Sequence, residues 1–294
     1  MRMMRFVPMG LSVLALSACL LPITQAGGSE WHKSYPIAGK ASLTISAGDA
    51  SIEIRSCGSC REVQIRVDWK NRQPSDFSLT EFKTGDHVTF ELKDKPRLGI
   101  HFGSTNWHSP QITVDSPSQL DLEAKTSDGS VKISGVQGNL HLSTSDGSVD
   151  GENLAGSLRL STSDGSIHLH NVTGTLESHS SNGSATIDGQ FSALQVRASD
   201  GSLNLTMNNG SQLTAASSIE TSDGSVHLRL PRSLAASLDV RSSDGQVKCS
   251  LPLTMENYES PGGGSSHHLR GRLNAGSTPL TIRTSDGSVQ IDAL

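Results

Sequence analysis

Residues 139–150 read NLHLSTSDGSVD, and this stretch decides the fold. Leu140 and Leu142 alternate with polar residues, which is the period-2 pattern of a strand with one buried face. Asp146 and Gly147 then indicate a tight turn, because aspartate hydrogen-bonds its own local backbone and glycine adopts positive φ freely. A second alternating segment follows at once, so a strand, a turn and a second strand fit within a dozen residues.

The same motif recurs along the chain. Its first five copies are 18 residues apart, and the later gaps are 23, 21 and 42 residues. Because 42 is twice 21, we expect one degenerate copy between Asp244 and Asp286. A constant period with the same residue at the same phase favours stacked coils over an antiparallel meander. The predicted turn positions are Asp128, Gly129, Asp146, Gly147, Asp164, Gly165, Asn182, Gly183, Asp200, Gly201, Asp223, Gly224, Asp244, Gly245, Asp286 and Gly287.

We therefore predict an all-β fold, a single-stranded parallel β-solenoid (β-helix) with coils of about 18–21 residues. An irregular β cap precedes it, and stacking of neighbouring coils supplies the stability. Residues 1–26 are assigned to a signal peptide, 27–118 to the N-terminal β cap with diverged first coils, and 119–294 to the regular solenoid with a flexible insert at 254–278. In the coil after Gly129 we expect five buried side chains, namely Val131, Ile133, Val136, Leu140 and Leu142.

The composition agrees with a thin, elongated core. Hydrophobic residues make up 34% of the 294 residues, aromatic residues 4% and charged residues 18%. These values argue against a helical bundle, and the low charge argues against ordinary disorder. The formal net charge of −5 is dispersed along the chain, which gives no electrostatic footprint for nucleic acid.

The N-terminus carries an export signal. Arg2 and Arg5 precede an apolar run that ends before Pro22, and small residues suited to signal-peptidase cleavage stand before Gly27. The Leu16–Cys19 stretch also fits a lipobox, which would make Cys19 the lipidated first residue of the mature chain. Both alternatives place the protein outside the cytoplasm, in the periplasm, at the cell surface or lipid-anchored at the envelope.

Two further cysteines are close together in the sequence. Cys57 and Cys60 form a C-x-x-C between two strand-like segments, and in an oxidising compartment this spacing favours a small disulfide. A thioredoxin-like redox site would need the motif at the start of a helix. Cys249 stands alone, and the alternation of its strand places it outward.

The Asp-Gly turns and the insert also raise metal and catalytic alternatives. Calcium needs six to eight oxygens, but each coil offers one turn aspartate, so we predict a turn stabilised by backbone hydrogen bonds and no metal site. Solenoid enzymes that act on polysaccharides need acids that converge in a cleft. The insert contains Glu256, Glu259, His267 and His268, but it is better explained as a flexible loop, so we predict no catalytic residues and no cofactor.

The repeated T-S-D-G-S-V/I, preceded by L-x-L, resembles a bacterial family of exported β-strand-repeat proteins labelled putative adhesins, a domain of unknown function. The resemblance extends to the entry segment at 111–129 and the closing segment at 280–291, and it covers roughly residues 40–294. It implies a β-solenoid at the cell envelope and no agreed catalytic residues.

The expected function is thus that of a non-enzymatic adhesin-like or scaffold protein of the bacterial envelope. Its polar repeat surface would bind an envelope protein or a glycan, and it would contact membrane through an N-terminal lipid alone. Two alternatives remain: a β-helix enzyme that acts on polysaccharide, and an accessory or sensor protein of envelope stress.

Overall fold

The computed structural model describes residues 30–70, 72–96, 109–259 and 267–294. These ranges contain 22 strands and one short 3-10 turn at Pro74–Asp76, and the expectation of an all-β fold is confirmed. The strands are β1 (Glu30–Pro36), β2 (Ala41–Ala47), β3 (Ser51–Ser56), β4 (Glu62–Asp68), β5 (Phe77–Thr84), β6 (His87–Asp94), β7 (Gln111–Ser116), β8 (Leu120–Lys125), β9 (Val131–Ser134), β10 (Gln137–Ser143), β11 (Val149–Thr162), β12 (Ile167–Ser180), β13 (Ala185–Ala198), β14 (Leu203–Met207), β15 (Ser217–Glu220), β16 (Val226–Leu230), β17 (Ala236–Ser242), β18 (Val247–Cys249), β19 (Thr254–Glu259), β20 (His268–Leu273), β21 (Pro279–Thr284) and β22 (Val289–Ala293).

Successive repeats pair in parallel and form two rows of strands. The first row contains β2, β8, β10, the second halves of β11–β13, β15, β21 and β17. The second row contains β3, β9, the first halves of β11–β13, β14, β16, β22 and β18. In the first row Leu140 is the register partner of Leu158, and Leu158 that of Leu176, a step of 18 residues each time.

The core lies between the inward faces of the two rows. Val131, Ile133, Val136, Leu140 and Leu142 are all at most 2% exposed, as the sequence predicts for that coil. The turn glycines are buried, whereas most outward residues of the stacked strands are polar. Because each coil adds only a few medium-sized side chains, the core is continuous along the stack rather than thick in any coil.

Near the C-terminus, the order of the repeats in space differs from their order in sequence. Strand β21 lies between β15 and β17, and β22 lies between β16 and β18. The closing segment, residues 279–293, is thus inserted between the coil at 217–230 and the coil at 236–249. The N-terminal end shows the same arrangement, since β2 lies between β6 and β8 and β3 lies between β7 and β9.

This order corrects two sequence-based expectations. No degenerate repeat is found in the described part of the 42-residue gap; β19 and β20 lie there instead and pair antiparallel. Residues 254–259 and 267–273, which we expected in a flexible insert, include these two strands, and residues 260–266 lie outside the described ranges. The gap is long because the chain leaves the stack after β18 and forms the antiparallel pair β19–β20. It then returns as β21 and β22, which lie between the coils at 217–230 and 236–249.

Antiparallel strands cover both ends of the stack. At the N-terminal end β5 pairs with β6, β4 with β7, and β1 with β4. At the other end β20 pairs with β17 and β19 with β20. Such strands occupy backbone groups that a terminal coil would otherwise present to another chain. In the described ranges, no helix is long and apolar enough to cross a membrane.

Candidate binding surface

The recurring turn of the repeats serves packing. Thr144 and Thr162 are buried, and each hydroxyl accepts a hydrogen bond from the amide of the turn glycine three residues later, at 3.2 and 3.1 Å. The same hydroxyls donate to carbonyls of the preceding coil, as Thr144 Oγ1 does to Gly129 O at 2.9 Å. The sequence carries a signal for this role, because a Thr or Ser stands three positions before seven of the eight turn glycines, with Ala198 before Gly201 as the exception.

The turn glycines are required for a different reason than the sequence suggested. Gly147 and Gly165 do not have positive φ. Instead, a Cβ at Gly165 would lie 1.9 Å from the carbonyl oxygen of Gly147, and one at Gly147 would lie 2.1 Å from that of Gly129. Positive φ occurs at the other corner, as in Gly156 with φ 114° and Asn171 with φ 54°. Each turn glycine thus allows the next coil to approach closely.

The turn aspartates form an exposed column along one edge of the stack. In the described part of the chain, no three His, Cys, Asp or Glu side chains are placed so that they could hold a metal ion. At the N-terminal end of this edge, burial, together with the neighbouring Asp94 and Asp128, raises the pKa of Asp49. The turn aspartates therefore form a solvent-exposed acidic edge.

A groove of about 720 Å³ runs across seven adjacent strands, from β6 and β2 to β13, on the outer surface of the first row, and we call it the first groove. Small polar side chains form one side, and longer polar or charged side chains form the other. Its outward residues are Ser42, Thr44, His87, Asp121, Glu123, Asn139, His141, Ser157, Arg159, Thr175, Glu177, Ala193 and Gln195. Because its long axis crosses the strands, equivalent groups recur about every 4.8 Å, the spacing between strands.

Charges in the first groove are partly paired between neighbouring coils. Arg159 donates from Nε and Nη2 to the same oxygen of Glu177, at 3.0 and 2.7 Å. The hydrogen bond from Lys40, with that from the Asn139 amide, lowers the pKa of Asp121. Glu123, His141 and Gln195 have no hydrogen-bonding partner among the described residues, so the groove keeps donors and acceptors for a ligand.

A second groove, of about 630 Å³, lies on the second row. Lys132, Asp150, His168 and Thr186 stack there in successive coils. Asp150 Oδ1 lies 3.3 Å from His168 Nδ1 of the neighbouring coil.

One acid of the second groove, Asp188, is hydrogen-bonded to a histidine of the neighbouring coil. His170 Nδ1 lies 2.7 Å from Asp188 Oδ1, and that hydrogen bond raises the pKa of His170. Asp188 also accepts a hydrogen bond from the Asn171 amide, at 3.1 Å.

The cysteines and the insert histidines have structural contacts. Cys57 and Cys60 are joined by a disulfide. The expectation that Cys249 points outward is wrong: it shares the inward face of Val247 and is a half-buried free thiol packed against the core, and burial raises its pKa. His267 Nδ1 lies 2.9 Å from Gly245 O, and His268 Nε2 lies 3.1 Å from Asp239 Oδ1. Cys19 and the whole signal segment lie outside the described residues, as do the side chains of Glu256 and Glu259.

A family model described as Toastrack DUF4097 matches residues 41–292 of the chain, from the first stacked strand to the last. None of the curated proteins compared with the chain matches it.

Solved structures of similar proteins were also found. A protein titled a putative adhesin from Parabacteroides merdae is 14% identical, with a TM-score of 0.48, and the match covers 90% of this chain and 96% of that one. A second, titled a putative adhesin from Bacteroides fragilis, is 14% identical, with a TM-score of 0.45 and coverage of 91% and 98%. A third, titled a putative cell adhesion protein from Clostridium sporogenes, is 12% identical, with a TM-score of 0.26 and coverage of 90% and 99%.

Proposed function

The chain belongs to the Toastrack DUF4097 family, and from this premise we propose that it is a non-enzymatic, adhesin-like scaffold protein of the bacterial envelope. In this proposal the chain winds as a single-stranded parallel β-solenoid and presents its polar outer surface to a glycan. The 18-residue parallel register between successive repeats supports the solenoid. Export, by a cleaved signal or with a lipid on Cys19, is part of the same proposal.

The first groove is the observation that carries the binding function. It is open along its length, crosses seven adjacent strands and offers polar side chains at a fixed repeat distance. A linear glycan has its own repeat and carries hydroxyl groups that donate and accept hydrogen bonds, so it suits a surface of this kind. The side chains of Glu123, His141 and Gln195 lie along the first groove and can hydrogen-bond to a ligand.

A glycan array with the mature protein, residues 27–294, tests the proposal. Replacing Gln195 by alanine should weaken binding of the selected glycan about fivefold, since a hydrogen bond contributes about 1 kcal/mol. Asn204 is a matched control, because it is an exposed amide on the second row, outside the first groove. Equal effects of Gln195→Ala and Asn204→Ala would contradict the assignment of the groove, and release of reducing ends would contradict the non-enzymatic role.

Membrane fractionation tests the export step separately. If Cys19 is lipidated, the wild-type protein partitions with membranes and Cys19→Ser releases it in a soluble, exported form. If the signal is simply cleaved, both proteins are exported in soluble form. Retention of the wild-type protein in the cytoplasm would contradict the envelope proposal.

A further inference from the structure

Arginines gather at the C-terminal end of the first row, around a third groove of about 470 Å³. Arg197, Arg283 and Arg241 point outward from β13, β21 and β17, at equivalent positions of their coils. Glu220 on β15 stands between Arg197 and Arg283 in the stack. The groove is also lined by a row of serines from the turn motif, Ser199, Ser222, Ser243 and Ser285.

Positive charge exceeds negative charge in this groove. Glu220 Oε2 lies 3.3 Å from Arg197 Nε, so it neutralises one guanidinium. Asp239 lies 3.2 Å from Arg241, but Arg270 and His268 contact the same carboxylate. Arg283 has no carboxylate within 4.0 Å among the described residues. A chain of net charge −5 thus builds a local cationic site here.

The insertion of the closing segment creates the like-charged pair. Arg241 and Arg283 are register partners on adjacent parallel strands, with strands about 4.8 Å apart. Like charges directly opposite each other in a sheet destabilise it. If the coils were stacked in sequence order, Arg241 would instead adjoin Glu220. The inserted closing segment therefore places two guanidinium groups next to each other, and an anion bound between them would offset their repulsion.

We propose that this third groove binds the anionic groups of an acidic polysaccharide. A guanidinium fork binds carboxylate or phosphate oxygens through two parallel hydrogen bonds, and the serine hydroxyls can donate further ones. A pyranose unit is comparable in length to the coil spacing, so acidic groups along a glycan can meet successive coils. The inference rests on the proposed function in one respect, namely that the anion belongs to a glycan.

Titration of the mature protein with three polymers of one backbone tests the site: neutral dextran, carboxymethyl-dextran and dextran phosphate. We expect the charged polymers to bind at low salt and the Arg241→Gln, Arg283→Gln double variant to weaken that binding at least tenfold. The control is the Arg229→Gln, Lys248→Gln double variant, which removes the same charge from the second row and should retain binding. The polymer that binds more tightly identifies carboxylate or phosphate as the natural group.

Several outcomes would overturn the inference. These are equal binding of neutral and charged dextran, equal weakening by the two double variants, and a lower melting temperature of the unliganded Arg241→Gln, Arg283→Gln protein. The last would show that the arginines stabilise the fold, whereas an unfilled anion site predicts an unchanged or higher melting temperature. If the charged polymers fail but a glycan still binds in a Gln195-dependent manner, the anion site is wrong and the proposed function stands.

Discussion

Substitution of the turn glycine Gly165 tests the close approach of neighbouring coils. An added Cβ would lie 1.9 Å from Gly147 O, about 1.5 Å less than the 3.4 Å of ordinary contact. Separating the coils by that distance would break three hydrogen bonds to the preceding coil: Thr162 Oγ1 to Gly147 O, and the amides of residues 163 and 164 to Ser145 O. Three bonds of about 1 kcal/mol each, with about 1–3 kcal/mol for overpacking, give a loss of about 4–6 kcal/mol.

The matched control is Gly85, which has φ of 60° and open space where a Cβ would stand. Asparagine tolerates the left-handed region, so Gly85→Asn should cost about 1 kcal/mol or less. Gly165→Asn should be as damaging as Gly165→Ala, because its obstacle is the neighbouring backbone. Urea unfolding followed by circular dichroism measures all three variants. If Gly165→Asn unfolds at the same urea concentration as Gly85→Asn, coil contact does not explain the glycine.

Three further predictions concern the hydroxyl ladder, a histidine pair and the closing segment. Thr162→Val keeps the side-chain shape but leaves a buried glycine amide unpaired, so the urea midpoint should fall by the equivalent of about 1–3 kcal/mol, whereas Thr162→Ser should lose much less. The pKa of His170, measured by NMR, should exceed 6.5 and should fall in Asp188→Asn. Because this pKa is raised in the folded protein, any stabilisation from the pair is complete below about pH 6.5. It is lost as the pH rises through the folded-state pKa. Removing residues 279–294 should expose residues 236–249 to rapid proteolysis, because these lose their parallel neighbour; unchanged protection would contradict the inserted order.

The local structure of the coils follows from the sequence because it is set by short-range patterns. Alternation of apolar and polar residues places Leu140 and Leu142 inward, and the motif places the corner at Asp146 and Gly147. The cause of the glycine requirement could not be read in the same way. It depends on the distance to a carbonyl of another coil, which exists only after stacking.

The order of the coils is harder to predict for a different reason. Near-identical repeats offer near-identical edges, so the sequence does not tell whether β17 or β21 pairs with β15. Sequential stacking at a constant spacing would require a degenerate repeat between Asp244 and Asp286. The structure has an antiparallel hairpin there instead. The third groove could not be predicted from the sequence for the same reason, because Arg241 and Arg283 are neighbours only in the inserted order.

The inserted closing segment also determines how the protein resists mechanical force. A coil at the open end of a stack could peel away, with its hydrogen bonds breaking one after another. Strand β22 is instead bonded to β16 on one side and β18 on the other. Tension applied to the C-terminus along this strand loads both ladders at once in shear. The closing coil should therefore resist unfolding under tension at the point where a simple stack of repeats would begin to unfold.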